Sequence, residues 1–207
     1  MQVREKELEP PAFAAFARRV IACCRPFGAL ALVNGDEHLA LELGADGVHL
    51  SSTRLLSLSA KPAGLVCAAS CHNESELRHA EALGLDFVVL SPVQPTATHP
   101  TAAPLGWQQF GLLARACRLP VFALGGLTHA SLADALKHGG AGIAMLRGAW
   151  CDGEDEKAEL KANPPPLPPP ERDTPPKRPH APVETFRKDY KPSDYTVTGV
   201  HYSFYLL

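Results

Sequence analysis

Phe87-Val-Val-Leu-Ser-Pro-Val-Gln-Pro-Thr-Ala-Thr-His-Pro100 passes from an unbroken apolar run into a loop of proline, threonine and histidine. The run, 87–90, suits a strand covered on both faces, because a strand with one wet face would alternate. Pro92 and Pro95 lack the amide proton a ladder needs, so the strand must end there and hand over to a turn. The hydroxyls of Ser91, Thr96 and Thr98 are then expected to be displayed at the end of a buried strand.

The pattern repeats in both directions along the chain. Upstream, apolar positions Phe13, Phe16, Ala17, Val20, Ile21 and Cys24 recur at helical steps over 11–24. A strand is predicted over 29–33, and Asp36 is placed to cap a short helix through Leu43. Strands follow at 47–50 and 65–69, with a helix over 73–83 in which Asn73 caps and Glu76 completes a capping box. Downstream come a helix at 107–117, a strand at 121–124 ending in Gly125-Gly126, a helix at 130–138 and a strand at 142–146. Short apolar strands alternating with helices about every 20 residues mark βα units and a parallel sheet. About seven such strands are most simply closed as a (β/α)₈ barrel, the TIM-barrel class. An open doubly wound sheet is the alternative, but Gly125-Gly126 lacks the G-x-G-x-x-G of a dinucleotide turn.

Composition divides the 207 residues unevenly. Half of the 20 prolines fall within 163–182, a density that excludes helix and sheet alike. Three segments are therefore expected: a folded domain over 1–150, an acidic then proline-rich linker over 151–182, and an extended tail over 183–207. A net charge of -2 gives no electrostatic case for nucleic acid or for an anionic membrane as partner. No apolar run reaches membrane-spanning length and the start is not a secretory signal, so a cytoplasmic protein is the default. The six cysteines lack C-x-x-C spacing and read as structural thiols.

In a barrel of this kind the residues that follow each strand gather at one mouth. Asn34, Ser51, Ser70, His72, Ser91, Gly125 and Arg147 all stand there. Gly125-Gly126 after the penultimate strand and Arg147-Gly148 after the last match a phosphate site, since glycines let backbone amides approach an anion and a helix dipole adds to the attraction. Gly-Gly can equally serve only as a tight turn. Arg147 could add a bidentate contact. The segment Gln2-Val-Arg-Glu-Lys6, if extended, puts Gln2, Arg4 and Lys6 on one side, either as a solvated edge or as an anion-binding face inside the mouth. His49 and His72 lack partners at ligand spacing and read as core or supporting histidines; His99, in the loop, is better placed to meet a ligand.

Gln2-Val-Arg-Glu-Lys6, Val33-Asn34, Gly44-Ala-Asp-Gly-Val-His-Leu50, Ser70-Cys-His72, Ser91-Pro-Val-Gln-Pro-Thr-Ala-Thr98, Ala123-Leu-Gly-Gly-Leu127 and Gly142-Ile-Ala144 resemble, in order and spacing, the thiamine phosphate synthase/TenI family over 1 to about 150. They look most like the TenI-type domain fused behind Nudix hydrolases. The resemblance implies a barrel that joins a pyrimidine diphosphate to a thiazole phosphate with Mg²⁺ assistance. By position, Gln2, Arg4, Lys6 and Asn34 would hold pyrophosphate and Ser70 would sit near the pyrimidine. Thr96, Thr98, Gly125 and Gly126 would surround the thiazole phosphate. Gly35 and Arg54, or the neighbouring 51–53, stand where the synthases place acidic metal ligands, and His99 replaces a lysine. No metal or other cofactor is therefore expected to be retained, and weak or absent synthase activity follows. The tautomerase histidine of some members is replaced by Pro92. A non-catalytic binding or scaffolding domain of a larger fusion is the alternative function.

Family barrels carry a βα unit before the Q-x-R-E-K strand, which here stands at the start. The barrel is thus expected to lack its first unit, with two open edges and marginal stability, unless a fused or associated domain completes it. In the tail, 186–204 resembles the first strand of M1-type aminopeptidases, without any H-E-x-x-H. The run 164–170 reads mainly as a spacer, with an SH3-type ligand as the lesser reading.

Overall fold

A computed structural model of the 207 residues describes 1–96 and 102–146, together with the backbone of three short strands in the tail. Seven parallel strands run in chain order across one curled sheet: β1 (Gln2–Val3), β2 (Leu32–Asn34), β3 (Gly47–Leu50), β4 (Val66–Cys71), β5 (Phe87–Leu90), β6 (Val121–Ala123) and β7 (Gly142–Met145). Helices α1 (Pro10–Cys24), α2 (Glu37–Glu42), α3 (Ser52–Ser57), α4 (Glu74–Leu83), α5 (Gly106–Ala116) and α6 (Leu132–Lys137) connect them. The result is the βα-repeat architecture that the sequence predicts, curled as a half-barrel. Of the tail strands, β8 (Thr196–Val197) pairs antiparallel with β9 (Val200–His201), and β10 (Phe204–Leu206) lies parallel to β7, with Phe204 opposite Ile143.

Two apolar clusters correspond to the two faces of the sheet. Val33, Val48, Leu50, Ala69, Val88, Leu90, Ala123 and Ile143 join helix residues such as Ala17, Leu55, Leu77 and Phe110 in the larger one. Leu32, Ala68, Phe87, Val89 and Ala144 form the smaller, on the concave face, where Phe122 meets Phe87 edge to face at 5.5 Å. Strand periodicity assigns every second residue to each cluster. Because both faces are dry, the strands read as continuous apolar runs rather than alternating ones.

A carboxylate fastens the start of two strands to their neighbours. Asp46, just before β3, donates its amide to Ala31 O at 3.0 Å and accepts the Ala31 amide on Oδ2 at 2.9 Å. Asp86, just before β5, repeats the arrangement on Cys67 at 2.9 and 2.7 Å, and Lys61 Nζ adds an ion pair at 2.8 Å. The two acids occupy the same place in Gly-Ala-Asp46 and Gly-Leu-Asp86. In the third copy, Gly140-Ala141, the backbone bond from Ala141 N to Val121 O persists at 2.8 Å without a carboxylate.

Several boundaries differ from the sequence expectation. α3 is not expected from the sequence: Ser-Thr-Arg-Leu-Leu-Ser has too little apolar period, and only Leu55 is buried. It forms because the Ser51 hydroxyl accepts the Arg54 amide at 3.2 Å. β4 extends past Ala69 to Cys71. Helix α1 buries Phe13, Ala17, Ile21 and Cys24, whereas Phe16 lies more than a third exposed. Asp36 caps α2 as expected, its Oδ1 taking the Leu39 amide at 2.8 Å. The Asn73 cap is also found, but Glu76 reaches the His72 amide at 2.7 Å and the Asn73 side chain at 3.0 Å.

Candidate binding site at the C-terminal rim

The carboxyl ends of β1 to β5 bring polar side chains to the concave face, one strand apart and nearly level. In the register of the sheet, Gln2 lies beside Leu32, Asn34 beside His49, His49 beside Ala68 and Ser70 beside Val89. Alternation puts Ser70 and then His72 on the same face as Ala68. Gln2 is 5% exposed, so the first strand is no solvated edge at that point: its amide belongs to the interior layer. Arg4 and Lys6, two and four residues on, are exposed.

His49 is fully buried, with Nε2 2.8 Å from Ser70 Oγ. Burial, reinforced by the positive charge of Arg4, pushes its imidazole down to about 3, so it is neutral at physiological pH. A neutral imidazole in the layer beneath the mouth can hold the Ser70 hydroxyl in one orientation. Asn34 Nδ2 donates to the carbonyl of His49 at 3.4 Å. This agrees with the supporting role expected of His49 and places Ser70 with its partner, a contact between strands that sequence spacing alone does not reveal.

A second His–Ser contact stands one strand further. His72 Nδ1 donates to the Ser91 carbonyl at 2.8 Å and lies 3.4 Å from its hydroxyl. Donation to a carbonyl requires the proton on Nδ1, which leaves Nε2 of the neutral ring as an acceptor. Ser91 itself is 8% exposed, a correction to the expectation that its hydroxyl is displayed: the apolar run is followed by one more inward-facing residue before the chain turns. The Ser91–Pro92 peptide is cis.

The loop after β5 is fastened to the loop after β6. Val93 N donates to Leu124 O at 2.8 Å and Gln94 N to Gly125 O at 3.0 Å. Gly125 and Gly126 have φ of 106° and 65°. A Cβ would stand 2.8 Å from Pro92 Cα at Gly125 and 2.4 Å from Pro95 O at Gly126. Both glycines are therefore required by the approach of one loop to the other as well as by backbone conformation. Thr96 is half-buried at the end of this pair of loops. Thr98, His99, Arg147 and Gly148 lie outside the described residues.

The carboxylates of the neighbouring loops are already engaged. Asp36 caps α2. Glu37 faces the Arg54 guanidinium with contacts of 3.0 and 3.1 Å, a bridge between α2 and α3. Its own backbone amide and that guanidinium hold the Glu37 carboxyl below its ordinary value. Glu76 is spent on the start of α4. Among the described residues no group of three His, Cys, Asp or Glu is placed to hold a metal ion, and no helix is long and apolar enough to cross a membrane.

The family model and the curated relatives agree on one family. The model of the thiamine monophosphate synthase (TMP-TENI) family matches residues 1–149. A thiamine-phosphate synthase of Thiobacillus denitrificans is 36% identical over 171 residues, 79% of this chain and 79% of that protein. The bifunctional thiamine biosynthesis protein ThiM/ThiE of Symbiobacterium thermophilum is 37% identical over 150 residues, 70% of this chain and 31% of its own length. Among solved structures, thiamine phosphate pyrophosphorylase from Pyrococcus furiosus superposes with a TM-score of 0.58 at 25% identity, over 70% of this chain and 71% of the other.

Mg²⁺ in a diphosphate site wants oxygen ligands in octahedral array, commonly one or two carboxylates. The residues after β2 and β3 do not fit it: Gly35 has no side chain, Asp36 is turned to the helix amides, and Arg54 presents a cation paired with Glu37. Matched over nearly all of its folded part, with the strands, the loop pair and the Q-x-R-E-K start in place, the chain belongs to the thiamine monophosphate synthase/TenI family.

Proposed function

We propose that this chain is a TenI-like member that binds a phosphorylated thiazole or a related heterocycle at the C-terminal rim, with little or no synthase activity. The observation that carries this reading is the contrast within the rim itself. The side chains and loops that would receive the ligand are ordered by one another: His49 on Ser70, His72 on Ser91, and the 91–96 loop on Gly125-Gly126. The acids that would bind Mg²⁺ to a leaving pyrophosphate are replaced or engaged elsewhere. Without such a cation, departure of a diphosphate loses its principal charge stabilisation. In the preserved part, Gln2, Arg4, Lys6 and Asn34 would receive a diphosphate, Ser70 the pyrimidine ring, and Thr96, Thr98, His99, Gly125, Gly126, Arg147 and Gly148 the thiazole phosphate.

A scaffolding role within a larger fusion is the second reading. The bifunctional relative, in which the matched region is less than a third of the protein, favours it, as does the β7 edge, which accepts β10 and could equally accept a strand from a fused or associated domain. Purified protein supplied with both thiamine precursors and Mg²⁺ separates these possibilities. We expect no turnover approaching about 1 s⁻¹, together with a raised melting temperature in thiamine phosphate or thiazole phosphate. Turnover at ordinary enzymatic rates would refute the loss of activity; absence of stabilisation by either ligand would favour the scaffold.

A further inference from the structure

The two histidine–serine contacts of the rim are not equivalent. His49 is fully buried and its Nε2 is taken up by Ser70 Oγ at 2.8 Å. His72 is exposed, and there the other nitrogen, Nδ1, meets the protein, 2.8 Å from the Ser91 carbonyl. Its backbone is held on both sides: the His72 amide donates to Glu76 Oε2 at 2.7 Å, and the Ser91 amide donates to Cys71 O at 3.0 Å. A carbonyl only accepts, so the proton is fixed on Nδ1 and the neutral ring presents an Nε2 lone pair. Among the described residues no group is bonded to that nitrogen. His72 stands two residues beyond Ser70 on the same face, about 7 Å from it between Cα atoms. One small aromatic ring can meet both side chains across that span.

We propose that His72 Nε2 accepts a hydrogen bond from an amino group on the ligand's ring, so that this side chain sets which heterocycle the rim takes. The inference rests on the rim being the ligand site, and it adds a specificity-determining residue to that site: His72 is a ligand contact, not only the supporting histidine that its spacing suggests. An oxo group at the same ring position would set one acceptor against another. The oxygen would face the Nε2 lone pair, and neither would recover the hydrogen bond it makes to water. Sites built around a polar group of the ligand discriminate sharply for this reason.

The test is isothermal titration of the full chain with thiamine phosphate, whose pyrimidine carries an amino group, and with its analogue bearing an oxo group in that place. The native chain should bind the amino compound at least about tenfold more tightly. Two variants separate ligand contact from loop support. H72N sets an amide at the reach of Nδ1, able to donate to the Ser91 carbonyl but short of the ligand, whereas H72Q sets one at the reach of Nε2. H72N should therefore weaken thiamine phosphate binding about tenfold. H72Q should stay within about threefold of native and lose most of the discrimination, because its amide can turn to donate as well as accept. Melting temperatures check that each variant is folded, and the preference of the native chain between the two ligands needs no variant. Equal affinity of the native chain for both overturns the proposal, and so does the reverse order of the variants, a native-like H72N with a weakened H72Q. Thiazole phosphate, which has no such ring, is the control and should bind native chain and variants alike. Its binding, with no preference for the amino compound, removes only the role of His72; absence of binding by all of these ligands removes the rim as ligand site with it.

Discussion

The two ends of the sheet use polar residues in opposite ways. At the amino ends of β3 and β5, Asp46 and Asp86 take backbone amides of the preceding strand, so their charge is consumed in holding strands together. At the carboxyl ends, serine and histidine satisfy one another in pairs, and the exposed cations of the β1 loop remain available to a ligand. The difference shows that a charged residue next to a parallel strand is not by itself a sign of a site. The end of the strand on which it sits, and whether a main-chain group already occupies it, decide its role.

If that division is right, the largest loss of stability should come from the amino ends of the strands. Asp86 is nearly buried, pairs with Lys61 and accepts the Cys67 amide, so D86A should cost about 3 kcal/mol in denaturant unfolding while leaving ligand recognition by the folded fraction intact. D46A, at a half-buried site without a lysine partner, should cost about half as much. Equal effects of the two would remove the ion pair from the explanation.

Next in size is the loop pair at the other end. G126A places a methyl against Pro95 O and demands a φ of 65° from a residue with a side chain. A destabilisation of about 2 kcal/mol is expected, accompanied by weaker binding of thiazole phosphate, since the 91–96 loop must move. Unchanged binding would show that Gly126 serves the turn alone.

The last test is a slope, read from acid titration. His49 titrates at about 3 when folded, against an ordinary value of 6.5, so between those values the unfolded chain binds the extra proton. Stability contributed at this position therefore rises with pH through that window and is lost on acidification, by at most about 1.4 kcal/mol per pH unit. H49Q should flatten that part of the pH–stability curve relative to the native chain. A curve of the same slope would mean that His49 is not held neutral.

Much of this was legible in the chain itself. Continuous apolar runs at 87–90 and 142–145 announced doubly covered strands, and Asp36 and Asn73 announced helix starts, because those signals depend on a few neighbouring residues. α3 leaves little trace in the sequence, since a six-residue helix shows hardly two turns of pattern. The sequence ends β4 at Ala69 because Ser70 interrupts the apolar run, although Ser70 faces the concave side where a hydroxyl finds His49. Likewise, the burial of Ser91 depends on a histidine 19 residues away. Pairings of this sort follow from register between strands, which spacing along one chain does not encode. The family motifs carried the placement of the rim further than periodicity could.

Hydrogen exchange in the absence and presence of thiazole phosphate puts the central claim to its most direct test, because it reads both ends of the sheet in one experiment. The account predicts added protection at Ser70–Cys71, through the 91–96 loop and at 124–128, with the amides of Ala31 and Cys67 unaltered beyond any global stabilisation. Protection concentrated at Ala31 and Cys67, or none at the rim with ligand bound, would contradict it.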